Sequence, residues 1–183
     1  VIRTTFHPDT DYSTFVGAYK PTTALLPICD ELGQPMKIGA TTLHKEQIVY
    51  EFVAQSFLQA YVKAWKKYDE GDKQYLVIEE INRGNCAQIF GDLFQLLDRN
   101  DYGFSDYPIK ADADMKRQLQ KAFADLSIVQ SDKVNAMYEG KDIISQVLNG
   151  DILLLPNNLY IWATMNTSDQ SLFPIDGSPA KVC

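Results

Sequence analysis

Two adjacent carboxylates, Glu79 and Glu80, close the apolar run Tyr75-Leu76-Val77-Ile78, and the polar turn Ile81-Asn82-Arg83-Gly84 follows them. The run predicts a short strand buried on both faces, so the acids stand where that strand leaves its sheet. Asn85, with Gln88 three positions on, predicts a helix start in which a side-chain oxygen caps an orphan N–H. Ile89, Phe90, Leu93, Phe94 and Leu97 then share one helical face. In an open parallel sheet, ligands bind outside the C-terminal ends of the strands. Buried strand, paired acids, turn and amphipathic helix together describe the Walker-B element of a nucleotide-hydrolysing site. There the first acid stands by Mg²⁺ and its waters, and the second polarises the attacking water. Two solvated carboxylates at a strand end fit the same residues, and at this point both readings stand.

A second apolar run, Leu159 to Met165, predicts another buried strand and ends in Asn166-Thr167-Ser168-Asp169. With IEEINRGN (78–85), QIFGDLFQLLD (88–98) and NNLYIWATMNTSDQSL (157–172), the chain resembles the McrB-type AAA+ proteins, motor subunits of 5-methylcytosine-specific restriction systems. FHPDTDYSTFVGAYKP (6–21) is also similar to that family's segment ahead of Walker B. The resemblance covers 6–21, 75–99 and 157–176, in the family's order.

The resemblance implies an α/β fold: a partial AAA+ (P-loop NTPase-like) core with parallel strands, flanking helices and an inserted hairpin and helical segment. Residues 1–183 would be an incomplete core, from its second strand through Walker B to the sensor strand, with 101–156 as the insertion. It implies that Glu80 is the catalytic glutamate and that Asn166 is the sensor asparagine holding the water or the γ-phosphate. Asp169, the acid of the MNTxD motif, would help place that water or a neighbouring subunit's group. Glu79 stands where most such enzymes carry aspartate and would touch Mg²⁺ directly or through water, one methylene further out. Asn82 and Arg83 match the family's turn, Arg83 reaching a phosphate, a neighbouring subunit or a structural ion-pair partner. The implied cofactor is Mg²⁺ with GTP or ATP. The implied partners are further copies in a ring, a nuclease subunit, and DNA through other domains or subunits.

The chain departs from the family in three places. No GxxxxGK[ST] occurs, so no glycine-rich loop wraps phosphates. Gln170 replaces a common arginine, and Asp176 leads into Gly177 to Cys183 rather than an arginine-rich helix. In the family's fold the first core strand lies between the fourth and fifth, so its lack leaves strand 159–165 with an open edge. Two functions are therefore expected: the central part of a GTP- or ATP-hydrolysing motor, inactive alone, or a non-catalytic assembly scaffold built on a degenerate or split AAA+ piece.

With 183 residues and 45% hydrophobic content, the chain suffices for one domain with a real core. A formal charge of −7 gives no broad attraction to phosphate backbones. Cys29, Cys86 and Cys183 show no CxxC or Cys/His spacing, which predicts a reduced, cytoplasmic protein. No apolar run approaches the ~20 residues of a membrane span. Val1 opens no signal-peptide pattern, and the chain reads as a piece of something longer.

The elements that must position these residues follow from pattern. Ile2 to Phe6 predicts a short strand, with Tyr12, Phe15 and Val16 packing inward after it. Thr22 to Thr42 reads as a hairpin, and Lys45 to Tyr68 as one long helix with Val49, Phe52, Val53, Phe57, Ala60, Tyr61, Ala64 and Trp65 on its apolar stripe. Beyond Leu97, helices are expected over Asp112–Leu126 and within Asp132–Leu148, and Ile152–Leu155 is expected to pair with the Tyr107–Ile109 region.

Overall fold

The computed structural model describes residues 1–166; Asp169 and Gln170 lie outside them. The fold is α/β, with a parallel three-stranded sheet and flanking helices. It divides into two compact units, residues 18–53 and the remainder.

The larger unit is built on β1 (Ile2–Thr5), β6 (Gln74–Glu79) and β9 (Leu159–Ala163), ordered β1-β6-β9 with β6 central. Both pairings are parallel, Ile2 opposite Leu76 and Leu76 opposite Ile161. Strand periodicity puts Leu76, Ile78, Leu159 and Ile161 on one face, and all four are buried. Helix α2 (Ser56–Lys66) packs there through Phe57, Leu58, Tyr61, Ala64 and Trp65. The Trp65 indole N–H donates to the Leu154 carbonyl at 3.1 Å, satisfying its polar end in the core. Tyr75, Val77, Tyr160 and Trp162 point to the opposite face, where Trp162 is 56% exposed. β6 is therefore buried on one face and half-buried on the other, not on both as its apolar run predicts. Among the described residues, no helix covers the second face as α2 covers the first.

Helix α1 (Tyr12–Phe15) follows β1, capped reciprocally by Asp11 and Thr14. It delivers Phe15 to a cluster with Phe6, Phe57 and Phe90, whose ring centroids lie 5.0 to 6.2 Å apart. After β6, helix α3 (Cys86–Phe90) carries the expected Asn85 cap, its side chain accepting from Gln88 N. The helix then tightens into a 3₁₀ stretch over Gly91–Leu97. Three residues per turn bring Phe90, Leu93 and Leu96 inward and leave Phe94 exposed, unlike the single α-helical face expected. Helices α4 (Ala113–Ala122), α5 (Ser131–Ala136) and α6 (Ile143–Leu148) follow. The helix expected within 132–148 is α6, and α5 precedes it, the two separated where Glu139 and Gly140 both take positive φ. These helices lie between β7 (Ile109–Lys110) and β8 (Ile152–Leu153), which pair antiparallel as the apolar pattern predicts.

The smaller unit is a two-stranded ribbon of β2 (Gly17–Pro27) and β5 (His44–Ala54), with the short pair β3 (Lys37–Ile38) and β4 (Thr41–Thr42) nearer its tip. Residues 44–54 are thus a strand, and only 56–66 of the long helix expected over 45–68 is helical. The β-branched and aromatic residues Ile48, Val49, Tyr50, Phe52 and Val53 fit an extended chain, and Tyr19 and Phe52 meet edge-on at 5.6 Å.

Arg99 joins several segments of the larger unit. Its guanidinium donates to the carbonyls of Gly103, Leu155, Pro156 and Leu159 at 2.8 to 3.3 Å, fastening the chain where it enters β9. Replacing it removes the guanidinium donor from the Gly103 and Leu159 carbonyls, while Leu155 O and Pro156 O keep bonds from Ser105 N and Leu159 N. Arg99→Ala is expected to lower stability by about 2–4 kcal/mol. Arg99→Lys should recover less than half of that loss, because one ammonium cannot reproduce the planar fork. Urea denaturation of the two variants beside the unaltered chain measures both numbers.

Candidate functional site at the sheet edge

Parallel pairing decides where the candidate residues meet. The register Ile78 opposite Ala163 means that β6 and β9 end side by side, so Glu79–Glu80 and Asn166 leave the sheet at the same edge. The contact persists past the last paired residues: Thr164 N donates to Ile78 O, and Ile81 N donates to Thr164 O, both at 2.9 Å.

Glu79 is the last residue of β6 and stands opposite Thr5 of β1. Its Oε1 pairs with Arg3 Nη1 at 3.1 Å, and its Oε2 accepts from Thr5 Oγ1 at 3.4 Å. Both charged side chains are well exposed, so this pair holds the carboxylate only loosely, by roughly 0–1 kcal/mol. Arg3 and Thr5 carry no signal of their own in the sequence. They become relevant only through the β1–β6 register, a contact 74 to 76 residues long-range.

Glu80 adopts φ 57° and ψ 45°, the left-handed region, which costs a residue of this type about 1–2 kcal/mol. Its Oε2 is buried without a hydrogen bond, and the Arg83 Nε lies 3.7 Å from it as an ion pair. Arg83 thus faces the adjacent acid of its own turn. Asn82 is 5% exposed, and its Nδ2 donates to the Asn166 carbonyl at 3.2 Å, across 84 residues of chain. Its Oδ1 is buried without a hydrogen-bond partner among the described residues. Asn166 itself is exposed.

The turn rests tightly on the core. A Cβ at Gly84 would stand 2.5 Å from Ile89 Cδ1 and within 3.2 Å of the Phe6 side chain, so a larger residue there would have to shift the buried Ile89 tip and Phe6. Burial pushes the Cys86 thiol above its ordinary pKa, and the thiol points at the Ile81 carbonyl at 3.5 Å. It stays protonated at neutral pH, which argues against thiolate chemistry at this edge.

The arrangement therefore gathers Glu79, Glu80, Asn82, Arg83 and Asn166 at one edge. Chemically it offers carboxylate oxygens able to orient or deprotonate a water, together with an exposed asparagine on the neighbouring strand. Among the described residues no group of three or more His, Cys, Asp and Glu could by itself enclose a metal ion. Among them no helix is long and apolar enough to cross a membrane.

No family model matches the chain. It is similar to the type II restriction enzyme BsuMI component YdiS of Bacillus subtilis (strain 168), with 34% identity over 180 residues and 95% of this chain aligned. The chain spans 44% of the length of that relative.

Proposed function

We propose that this chain is part of a restriction-system component and supplies the water-handling side of a nucleoside-triphosphate-hydrolysing site of the McrB-like AAA+ kind. The observation that carries the reading is the parallel register. It brings a two-acid strand end and an asparagine-bearing strand end to one edge, tied at 3.2 Å by Asn82 and the Asn166 carbonyl. The similarity to the BsuMI component supports a place in a restriction system. The fold supports the rest. Parallel sheets are covered on both faces, and free strand edges are usually closed. Here β9 pairs with β6 alone among the described residues, and Trp162 stands exposed on the uncovered face. A further strand and helix bearing the phosphate loop, which the 183 residues lack, fit that edge and that face.

In this reading Glu80 orients the attacking water and takes up its proton, and Asn166 holds that water or the γ-phosphate from the neighbouring strand. Asp169 assists in placing the same water or a group from the next subunit. Glu79, with Asn82 and Arg83, faces the nucleotide end of the site. Mg²⁺ usually keeps several waters and takes one or two carboxylates plus substrate phosphates, so the donors Glu79 and Glu80 fit it without a protein cage. When bound with GTP or ATP, it would neutralise charge on the transferring phosphoryl group. The weak Arg3–Glu79 pair leaves that carboxylate available for such a role. A ring of such chains would drive a nuclease subunit, with DNA contacted through other domains or subunits. A non-catalytic assembly scaffold is the second reading, favoured by the engagement of both Glu79 oxygens with β1.

The first of two measurements separates these readings, and the second tests the need for a phosphate loop that both share. In the complete protein that carries this chain, Glu80→Gln should lower nucleotide turnover about 100-fold or more while nucleotide still binds. Turnover equal to the unaltered protein rejects the catalytic assignment. The chain alone should give no heat with Mg²⁺-GTP or Mg²⁺-ATP in titration calorimetry, because it lacks the phosphate loop. Binding at about 1 μM, worth roughly 8 kcal/mol, would show that the chain cradles phosphates by itself.

A further inference from the structure

We propose that Asn82 is a positioning residue: its side-chain amide replaces a missing backbone rung between the acid-bearing turn and the end of β9, and so sets where Asn166 stands relative to Glu80. The positional claim stands on geometry alone; its consequence for turnover rests on the water-handling reading above.

The register shows the replacement. In a parallel ladder, residue j on one strand donates to the carbonyl before its partner i and accepts from the N–H after it. Continuing the pairing of Ile78 with Ala163 places Glu79 opposite Thr164. Thr164 N accordingly donates to Ile78 O at 2.9 Å. The return bond to Thr164 O would come from Glu80 N in an unbroken ladder. Glu80 has swung into the left-handed region, and Ile81 N makes that bond instead, again at 2.9 Å. The next rung, to Asn166 O, would come from the backbone N–H of Asn82. By then the chain has entered the 3₁₀ turn Ile81–Arg83 and heads out of the sheet. Asn82 Nδ2 reaches back and makes that rung at 3.2 Å. The ladder is extended by two residues on β9 while β6 has already turned away.

The cost of this device is visible in the same side chain. Asn82 is 5% exposed and its Oδ1 has no hydrogen-bond partner among the described residues. An apolar side chain of similar shape would avoid that buried acceptor, so packing alone does not account for an amide here. The donor half is what the position uses. Its target is the backbone of the residue whose exposed side chain reaches the proposed water. Asn82 acts through Asn166 and need not touch nucleotide itself.

The test has a structural arm and a kinetic arm, each with Asn82→Ala and with Asn82→Asp, which keeps the shape but cannot donate. In the ¹⁵N-labelled chain, amide hydrogen exchange at Ile81 should become about tenfold faster in both variants, with Leu76 and Ile78 unchanged. Ile81 exchange equal to the unaltered chain overturns the proposal. In the complete protein, kcat should fall about 100-fold with KM within about threefold, the signature of a misplaced group rather than lost binding. A proportional rise in KM with kcat intact would make Asn82 a nucleotide ligand and overturn the proposal. So would an intact kcat where Glu80→Gln abolishes turnover. Where Glu80→Gln itself leaves turnover intact, the water-handling reading falls, and exchange at Ile81 alone decides whether Asn82 ties the strand ends.

Discussion

The parallel pairing of β6 with β9 is the constraint on which the rest depends. Five residue pairs, Gln74–Leu159 through Ile78–Ala163, force two segments some 85 positions apart to end at one level. A slip of one residue would turn one strand over relative to the other, bringing either Tyr75 and Val77 or Tyr160 and Trp162 against α2 in place of the buried apolar set. Burial of Leu76, Ile78, Leu159 and Ile161 against α2 therefore sets the register, and the register sets the distance between the acids and Asn166. The geometry of the polar edge is in this sense a consequence of the apolar face.

The other end of β9 is held by different means. Arg99 gathers four carbonyls around the entry of the strand, and Asn158 Nδ2 donates to Ala64 O and Asp72 O at 2.9 Å. Gln74 N in turn donates to Asn158 O at 2.8 Å, joining the starts of β6 and β9. Side chains thus anchor the strand start from several directions, while the strand end depends on two backbone bonds and the Asn82 amide. That asymmetry leaves the β9 end the less firmly held of the two, which is compatible with the proposed role of this edge.

Much of this was legible in the sequence where local pattern and burial agree. The β6 and β9 runs are legible as strands, with the two acids at the end of β6 and the Asn85 cap after it, because each is short, strongly apolar or chemically marked. Their burial is one-sided instead of complete, since Tyr160 and Trp162 are exposed on β9 and Tyr75 and Val77 half-buried on β6. Residues 44–54 were not legible in this way. Val49, Phe52 and Val53 match a helical spacing, while Ile48, Tyr50 and Phe52 match the alternation of a strand. Ile48 and Tyr50 are each 70% exposed, so no buried face reinforces either period. What decides the matter is pairing with β2, a non-local contact that a local pattern cannot report. The 3₁₀ stretch escaped for a related reason: Gly91, at φ 52°, resets the helical phase, so Leu96 rather than Leu97 turns inward. At the site, the acids were visible as types, but Arg3 and Thr5 were not, because only the β1–β6 register brings them to Glu79.

The backbone at Glu80 shows what the turn is arranged to do. A left-handed conformation at a glutamate is unfavourable by about 1–2 kcal/mol relative to glycine, which adopts it freely. Glycine would relieve that strain and lose the carboxylate. The conformation persists because the surrounding bonds determine it. Ile81 N is fixed to Thr164 O, Arg83 N to Glu80 O, Asn82 Nδ2 to Asn166 O, and Gly84 is wedged against Phe6 and Ile89. Without the left-handed step the chain would continue along the ladder and carry Asn82 and Arg83 on as strand residues. With it, the chain leaves the sheet one residue past the acid pair, and Asn82 turns back toward β9. Backbone strain, a buried unpaired amide oxygen and a carboxylate oxygen without a hydrogen bond all fall within three residues. In the proposed reading, that concentration serves the handling of water at this edge, at a cost in stability.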